Sequence, residues 1–242
     1  MQISKKDWDN YIKRLSAINK KASDLIVQYV DKYGLDDVHS LVNYANSVAS
    51  TYGNASAAVN ALMYDTIAEL EGLTLPAAEL AELPEYGEVA KTVYGTLKTS
   101  DNPNEIGGAV SRLVKRTGQD TMLKNAIRDR AEFAWIPVGE TCPFCITLAA
   151  NGWRPISNKA LKNGHAEHIH SNCDCSYMVR HREDFNVSGY DPAKYQRMYY
   201  DADGRSAKDK INSMRREEYA ENKEEINEQK RAAYAKRQET EE

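Results

Sequence analysis

The sequence predicts a mainly α-helical chain with one small α+β module, a β-hairpin stabilised by zinc, between a helical N-terminal region and a long C-terminal helix. Three observations carry that prediction. Apolar residues recur at three-four spacing through the first 130 or so residues. The spacing shifts towards two at residues 131–138, and residues 176–181 follow as a second strand-like run. Between those two runs lie all four cysteines and three of the five histidines, confined to residues 142–175.

The helices follow in order. Trp8, Tyr11, Leu15, Ile18, Ala22, Leu25 and Tyr29 form one stripe of an amphipathic helix with a coiled-coil-like seam. Ser4 is its expected N-cap with Asp7 three residues on, and Gly34 its stop. A second helix is expected over residues 36–52, with Val38, Leu41, Val42, Ala45, Val48 and Ala49 on one face. Gly53-Asn54 reads as a break before a third helix carrying Val59, Leu62, Met63, Ile67 and Leu70 to Gly72. Residues 74–88 hold two prolines and no clear period, the pattern of a linker. Residues 86–97 look helical, 100–104 form a turn, and 106–130 read as one or two helices rich in Lys and Arg. A solvated helix face explains that basic character better than a nucleic-acid contact does. The domain layout is therefore 1–130 helical, 131–185 a zinc knuckle with short strands, and 186–242 an extended segment with a charged tail.

The knuckle rests on ligand chemistry. Zn²⁺ takes four thiolate or imidazole ligands in a tetrahedron, and two cysteines separated by two residues can hold it from one tight turn. Cys142-Pro-Phe-Cys145 supplies that turn, and His165-Ala-Glu-His168-Ile-His170-Ser-Asn-Cys173-Asp-Cys175 supplies the rest. Cys142 and Cys145 are the firmest ligands; His170 with Cys175 or Cys173 completes the set, and His165 and His168 remain surface or supporting residues. A metal closed off in this way is structural rather than catalytic. Phe144, Leu148 and Trp153 are the expected minor core of the module.

Two catalytic decoys fail on context. A glutaredoxin-type dithiol needs a βαβ unit and a later cis-proline loop, and Pro155 and Pro192, the prolines after Cys145, have no such setting. A zinc deaminase places its Cys pair after H-x-E, whereas here Cys142 and Cys145 precede His165-Ala-Glu167. Neither a phosphate loop nor a Ser-His-Asp set nor a paired-carboxylate site is recognisable, so no enzyme is expected.

Residues 120–145, ending in Gly-Glu-Thr-Cys-Pro-Phe-Cys, followed by His-Ile-His-Ser-Asn-Cys-Asp-Cys, resemble the minor capsid proteins of tailed bacteriophages, the broad Mu F-type head-morphogenesis group. The likeness extends in organisation over residues 1–205, includes Gly-Tyr-Asp-Pro at 189–192, and is most specific between 110 and 182. It implies ligand roles for Cys142, Cys145, His170 and Cys175, with Cys173 as the alternative. It also implies a low-copy virion component of the head interior or portal region, made in the host cytoplasm. Portal and capsid proteins would be its partners, together with a contact to packaged DNA. Many members have a proline between the last His and Cys, where this chain has Ser171-Asn172.

The tail contains an internal repeat: Lys210–Glu224 aligns with Glu225–Glu239. From Arg205 to Glu242 ten Lys/Arg balance ten Asp/Glu, which argues against strong phosphate binding, since affinity for DNA rests on net cationic contacts. A solvent-exposed helix with a thin stripe of Ile211, Met214, Tyr219, Ile226 and Tyr234, meeting a protein partner, is the expectation. A zinc-stabilised HNH or treble-clef nuclease or nucleic-acid-binding module is the alternative function; it would need a second, open metal site, and only His165, Glu167 and His168 cluster suitably. Net charge −4 gives no general pull to polyanions, and no apolar run approaches membrane-spanning length. No signal-peptide pattern opens the chain, and neither a membrane nor a small-molecule substrate is expected.

Overall fold

The computed structural model describes residues 1–139, 141–156, 174–225, 227, 228 and 231. These fall into two compact units: residues 1–139 with 152–190, and residues 140–151 with 191–242. Helix is the prevailing structure in both.

In the first unit, α1 (Lys5–Tyr33) begins where Ser4 Oγ accepts a hydrogen bond from the Asp7 N–H at 3.1 Å, and ends at Gly34, whose φ of 71° suits a residue without Cβ. The second helix departs from expectation. α2 is continuous from Val38 to Leu70, straight through Gly53-Asn54. Gly53 marks a close approach instead of a break, because a Cβ there would lie 3.2 Å from the Leu83 side chain and 3.4 Å from Thr117. α3 (Tyr86–Leu97) and α4 (Pro103–Arg128) follow, the latter capped by Asn102 with proline in its first turn. Ala22, Ile26, Val30, Leu41, Ala45, Val89, Ile106 and Val110 are buried together and join all four helices.

α4 corrects a second expectation, since it is a core helix and not a solvated basic one. Lys115 is buried, Arg116 grips Glu88 through two guanidinium nitrogens, Lys124 pairs with Glu79 at 3.0 Å and Arg128 with Asp129 at 2.7 Å. Two glycines let neighbours press against it. Gly107 meets Ser23 of α1, and Gly118 meets Ser56 and Asn60 of α2. The prolines and alanines of the 74–88 segment, read as a linker, form an extended strap. The Ala78, Glu79 and Ala81 N–H groups donate to Asp65, Asn125 and Thr121, while Arg128 donates to the Pro76 and Ala77 carbonyls.

A small sheet completes this unit. β2 (Glu132–Ile136) pairs antiparallel with β4 (Ser176–Arg180), Ala134 opposite Met178, and β3 (Arg154–Pro155) adds to the other edge of β2. The sequence foresaw β2 and β4 but not β3. At the opposite end of the chain order, β1 (Gln2–Ile3) pairs in parallel with β5 (Asn186–Val187).

The second unit contains α5 (Pro143–Ala149), α6 (Pro192–Asp201) and α7 (Ala207–Glu221). Asp191 caps α6, and a capping box joins Ser206 and Asp209 at the start of α7. Ile146, Ala202 and Met214 are its buried centre, with Tyr195, Tyr199 and Ile211 against them. The first half of the tail is therefore a helix exposed along most of its length, as expected, with Ile211 and Met214 of its thin apolar stripe packed. Of the expected minor core, Phe144 and Leu148 are only half-buried here, Trp153 is half-buried in the first unit, and Ile146 and Ala149 are buried on α5. No helix among the described residues is long and apolar enough to cross a membrane.

Candidate metal centre and its support

The described thiols divide between the two units. Cys175 sits immediately before β4 and is 2% exposed, and its Sγ accepts a hydrogen bond from the Val138 N–H at 3.4 Å. Val138 follows β2, and the next residue, Gly139, has φ of 64°, so the antiparallel pairing of β2 and β4 sets the position of that sulfur beside the turn. In the second unit, Cys142 is the N-cap of α5. Its Sγ accepts from the Cys145 N–H at 3.5 Å, with Pro143 pre-set at the first helical position. Cys145 is 1% exposed.

Backbone N–H groups aimed at sulfur suit a thiolate, the form in which cysteine ligates a metal, and the helix N-terminus adds a favourable dipole at Cys142. The described part of the donor set therefore fits zinc chemistry: soft sulfurs, near-complete exclusion of water at two of them, and fixed backbone donors. His165, His168, His170 and Cys173 lie outside the described residues. Among the described residues no group of three or more His, Cys, Asp or Glu side chains is placed to hold a metal.

Strand β4 is held by two buried polar networks that sequence reasoning missed. In the first, Tyr11 donates to Asn60 Oδ1 at 2.7 Å, Gln119 Nε2 donates to Ser176 Oγ at 2.8 Å, and the Tyr177 N–H donates to Gln119 Oε1 at 2.7 Å. Burial drives the Tyr11 phenol well above the ordinary tyrosine range, so it stays a neutral donor. Tyr177 also stacks edge-on against Phe133 and Trp135, with centroids 5.5 and 4.7 Å away.

The second network sits at the far end of β4. Glu71, fully buried at the end of α2, accepts from the N–H groups of His181 and Arg182 at 3.0 and 2.8 Å, and its Oε2 lies 2.6 Å from His181 Nδ1. His181 Nε2 is 3.1 Å from the Tyr64 hydroxyl, which donates to Asp129 Oδ2 at 2.7 Å, and Arg128 closes the chain on Asp129. Burial, followed by the hydrogen bond to Asp129, pushes the Tyr64 phenol far up. Burial would raise the Asp129 carboxyl as well, but the hydrogen bonds from Arg128 and Tyr64 outweigh it and hold the group below the usual carboxylate value. The links Glu71–His181, His181–Tyr64 and Tyr64–Asp129 run between elements of one unit, so the row works as a clamp joining α2, α4 and β4.

No local pattern announced these partners. His181 stood alone in the sequence, and Glu71 looked like an ordinary charge at a helix end. Asp129-Arg130-Ala131, where Arg130 takes φ of 55°, was legible only as a helix-to-strand junction.

A family model described as VG15 protein matches residues 2–202. No curated protein and no solved structure matches the chain.

Proposed function

The chain belongs to the VG15 family of viral gene products and is a phage protein, and from that premise we propose that it is a minor capsid protein acting in head morphogenesis. It is a non-enzymatic virion component, made in the host cytoplasm, that docks on portal or capsid proteins near the portal or inside the head. Its zinc is structural, held by Cys142, Cys145 and His170 with Cys175, or Cys173 in its place, as the fourth ligand. The observation that carries the reading is the pairing of a family match across most of the chain with the Cys142-Pro-Phe-Cys145 turn, whose Sγ atom faces a backbone donor. Bound zinc would add cross-links where short strands and a seven-residue helix bury too little surface to order themselves.

Two measurements test it. Elemental mass spectrometry of chelator-free protein should find about one zinc ion per chain, with its thiols protected until the metal is stripped. Purified virions should contain the protein at low copy, released with portal or capsid components on mild disruption. Its absence from virions would overturn the capsid role, and fast-reacting thiols without zinc would overturn the metal site.

A further inference from the structure

We propose that a cleft in the second unit is a docking groove for the basic C-terminal repeat, residues 225–239, of a second copy of this chain. The cleft encloses about 420 Å³ and is lined along α6 and α7. Pro143, Ile146 and Met214 make its floor apolar, and Met198 on α6 is 40% exposed beside them. Its rim is acidic: Asp201, Glu217, Glu218 and Glu221 line it, with no lysine, arginine or histidine. Among the described residues none of those four carboxylates has an ion-pair partner. Four uncompensated carboxylates around an apolar floor call for a cationic, amphipathic occupant.

The internal repeat supplies one. In register, Ile211, Arg215, Arg216 and Tyr219 of α7 recur as Ile226, Lys230, Arg231 and Tyr234. The groove-lining positions do not recur. Glu217, Glu218 and Glu221 become Ala232, Ala233 and Lys236. The first copy of the repeat thus builds an acidic wall, and the second has lost those acids and gained bases. Residues 229–238 carry four Lys/Arg and no Asp or Glu, although the whole tail is neutral. Ile226 and Tyr234, eight residues apart, would fall on one face of a helix and provide the apolar anchors.

The occupant comes from another copy because, among the described residues up to 228, no loop turns the chain back towards the groove. A helical hairpin needs a loop of about two to five residues. Among the described residues of 207–228, Asn222 alone is not helical. A reciprocal exchange, each tail in the other's groove, would use the same surfaces on both copies and close as a two-fold dimer.

The test is sedimentation and light-scattering mass of the full chain across protein and salt concentration. The wild type should self-associate, and salt should weaken the association. Glu217→Lys with Glu221→Lys, or Lys230→Glu with Arg231→Glu and Lys236→Glu, should each raise the dissociation constant about tenfold or more. Combining both sets in one chain should restore association, with helix content and tryptophan fluorescence unchanged throughout. A chain that stays monomeric at every concentration reached, or an association indifferent to both sets of charge reversals, would overturn the proposal.

Discussion

Replacing Glu71 by alanine would leave the His181 N–H, the Arg182 N–H and His181 Nδ1 facing an empty, dry site. A buried donor left without its partner costs roughly 1–3 kcal/mol, and three lose theirs at once, so Glu71→Ala should destabilise the first unit by about 4 kcal/mol. Glu71→Gln keeps the volume and one oxygen, and a change of His181 tautomer can satisfy the new NH₂. Its cost should be about 1–2 kcal/mol, the difference between charge-assisted and neutral hydrogen bonds. Urea unfolding followed by tryptophan fluorescence reads the right unit, because Trp8, Trp135 and Trp153 all belong to it. The alanine variant should also melt about 10 °C lower. Equal costs for the two variants, or an alanine cost under about 1 kcal/mol, would show that the row of side chains is incidental to stability.

Gly107→Ala would place a methyl group 2.7 Å from Ser23 Oγ and 2.8 Å from its carbonyl oxygen, so α1 and α4 must separate; a loss of about 2–3 kcal/mol in the same urea titration is expected. Asp129 titrates below its ordinary value of 3.8, so its contribution to stability is complete above that pH and fades as pH falls through the lower folded value. Asp129→Asn should therefore cost about 1–2 kcal/mol at neutral pH, with the gap to wild type closing in acid-unfolding curves below pH 3.8. Cys145→Ser should abolish zinc binding and open residues 131–182 to protease, while circular dichroism shows α1 and α2 intact. Zinc retained at the wild-type level would remove Cys145 from the ligand set.

Local signals reached part of this architecture. Ser4, Asp7 and Gly34 fixed both ends of α1 because caps are read from neighbouring residues, and the shift in period placed β2 and β4. Gly53-Asn54 misled because a glycine inside a helix looks the same whether it ends the helix or admits a neighbour, and only the distant Leu83 and Thr117 decide. The basic residues of α4 looked solvated because their acidic partners, Glu79 and Glu88, come from other segments. Glu71, Tyr64 and His181 escaped for the same reason, being separated by up to 117 positions. Of the expected ligands, the helix-capping role of Cys142 follows from its place before Pro143, whereas the sulfur environment of Cys175 depends on β2 and β4 meeting.

The pairing of β1 with β5 sets an order of events during synthesis. Ile3 is buried and pairs with Val187, so β1 waits during synthesis for more than 180 further residues before it gains its partner. Helices α1 to α4 form from short-range contacts and can assemble earlier, whereas the closing strand belongs to the slow, non-local class of contacts. Ribosome-bound chains ending before Asn186 should hold the helices while the first residues stay open to digestion, so the unit closes late and as a whole.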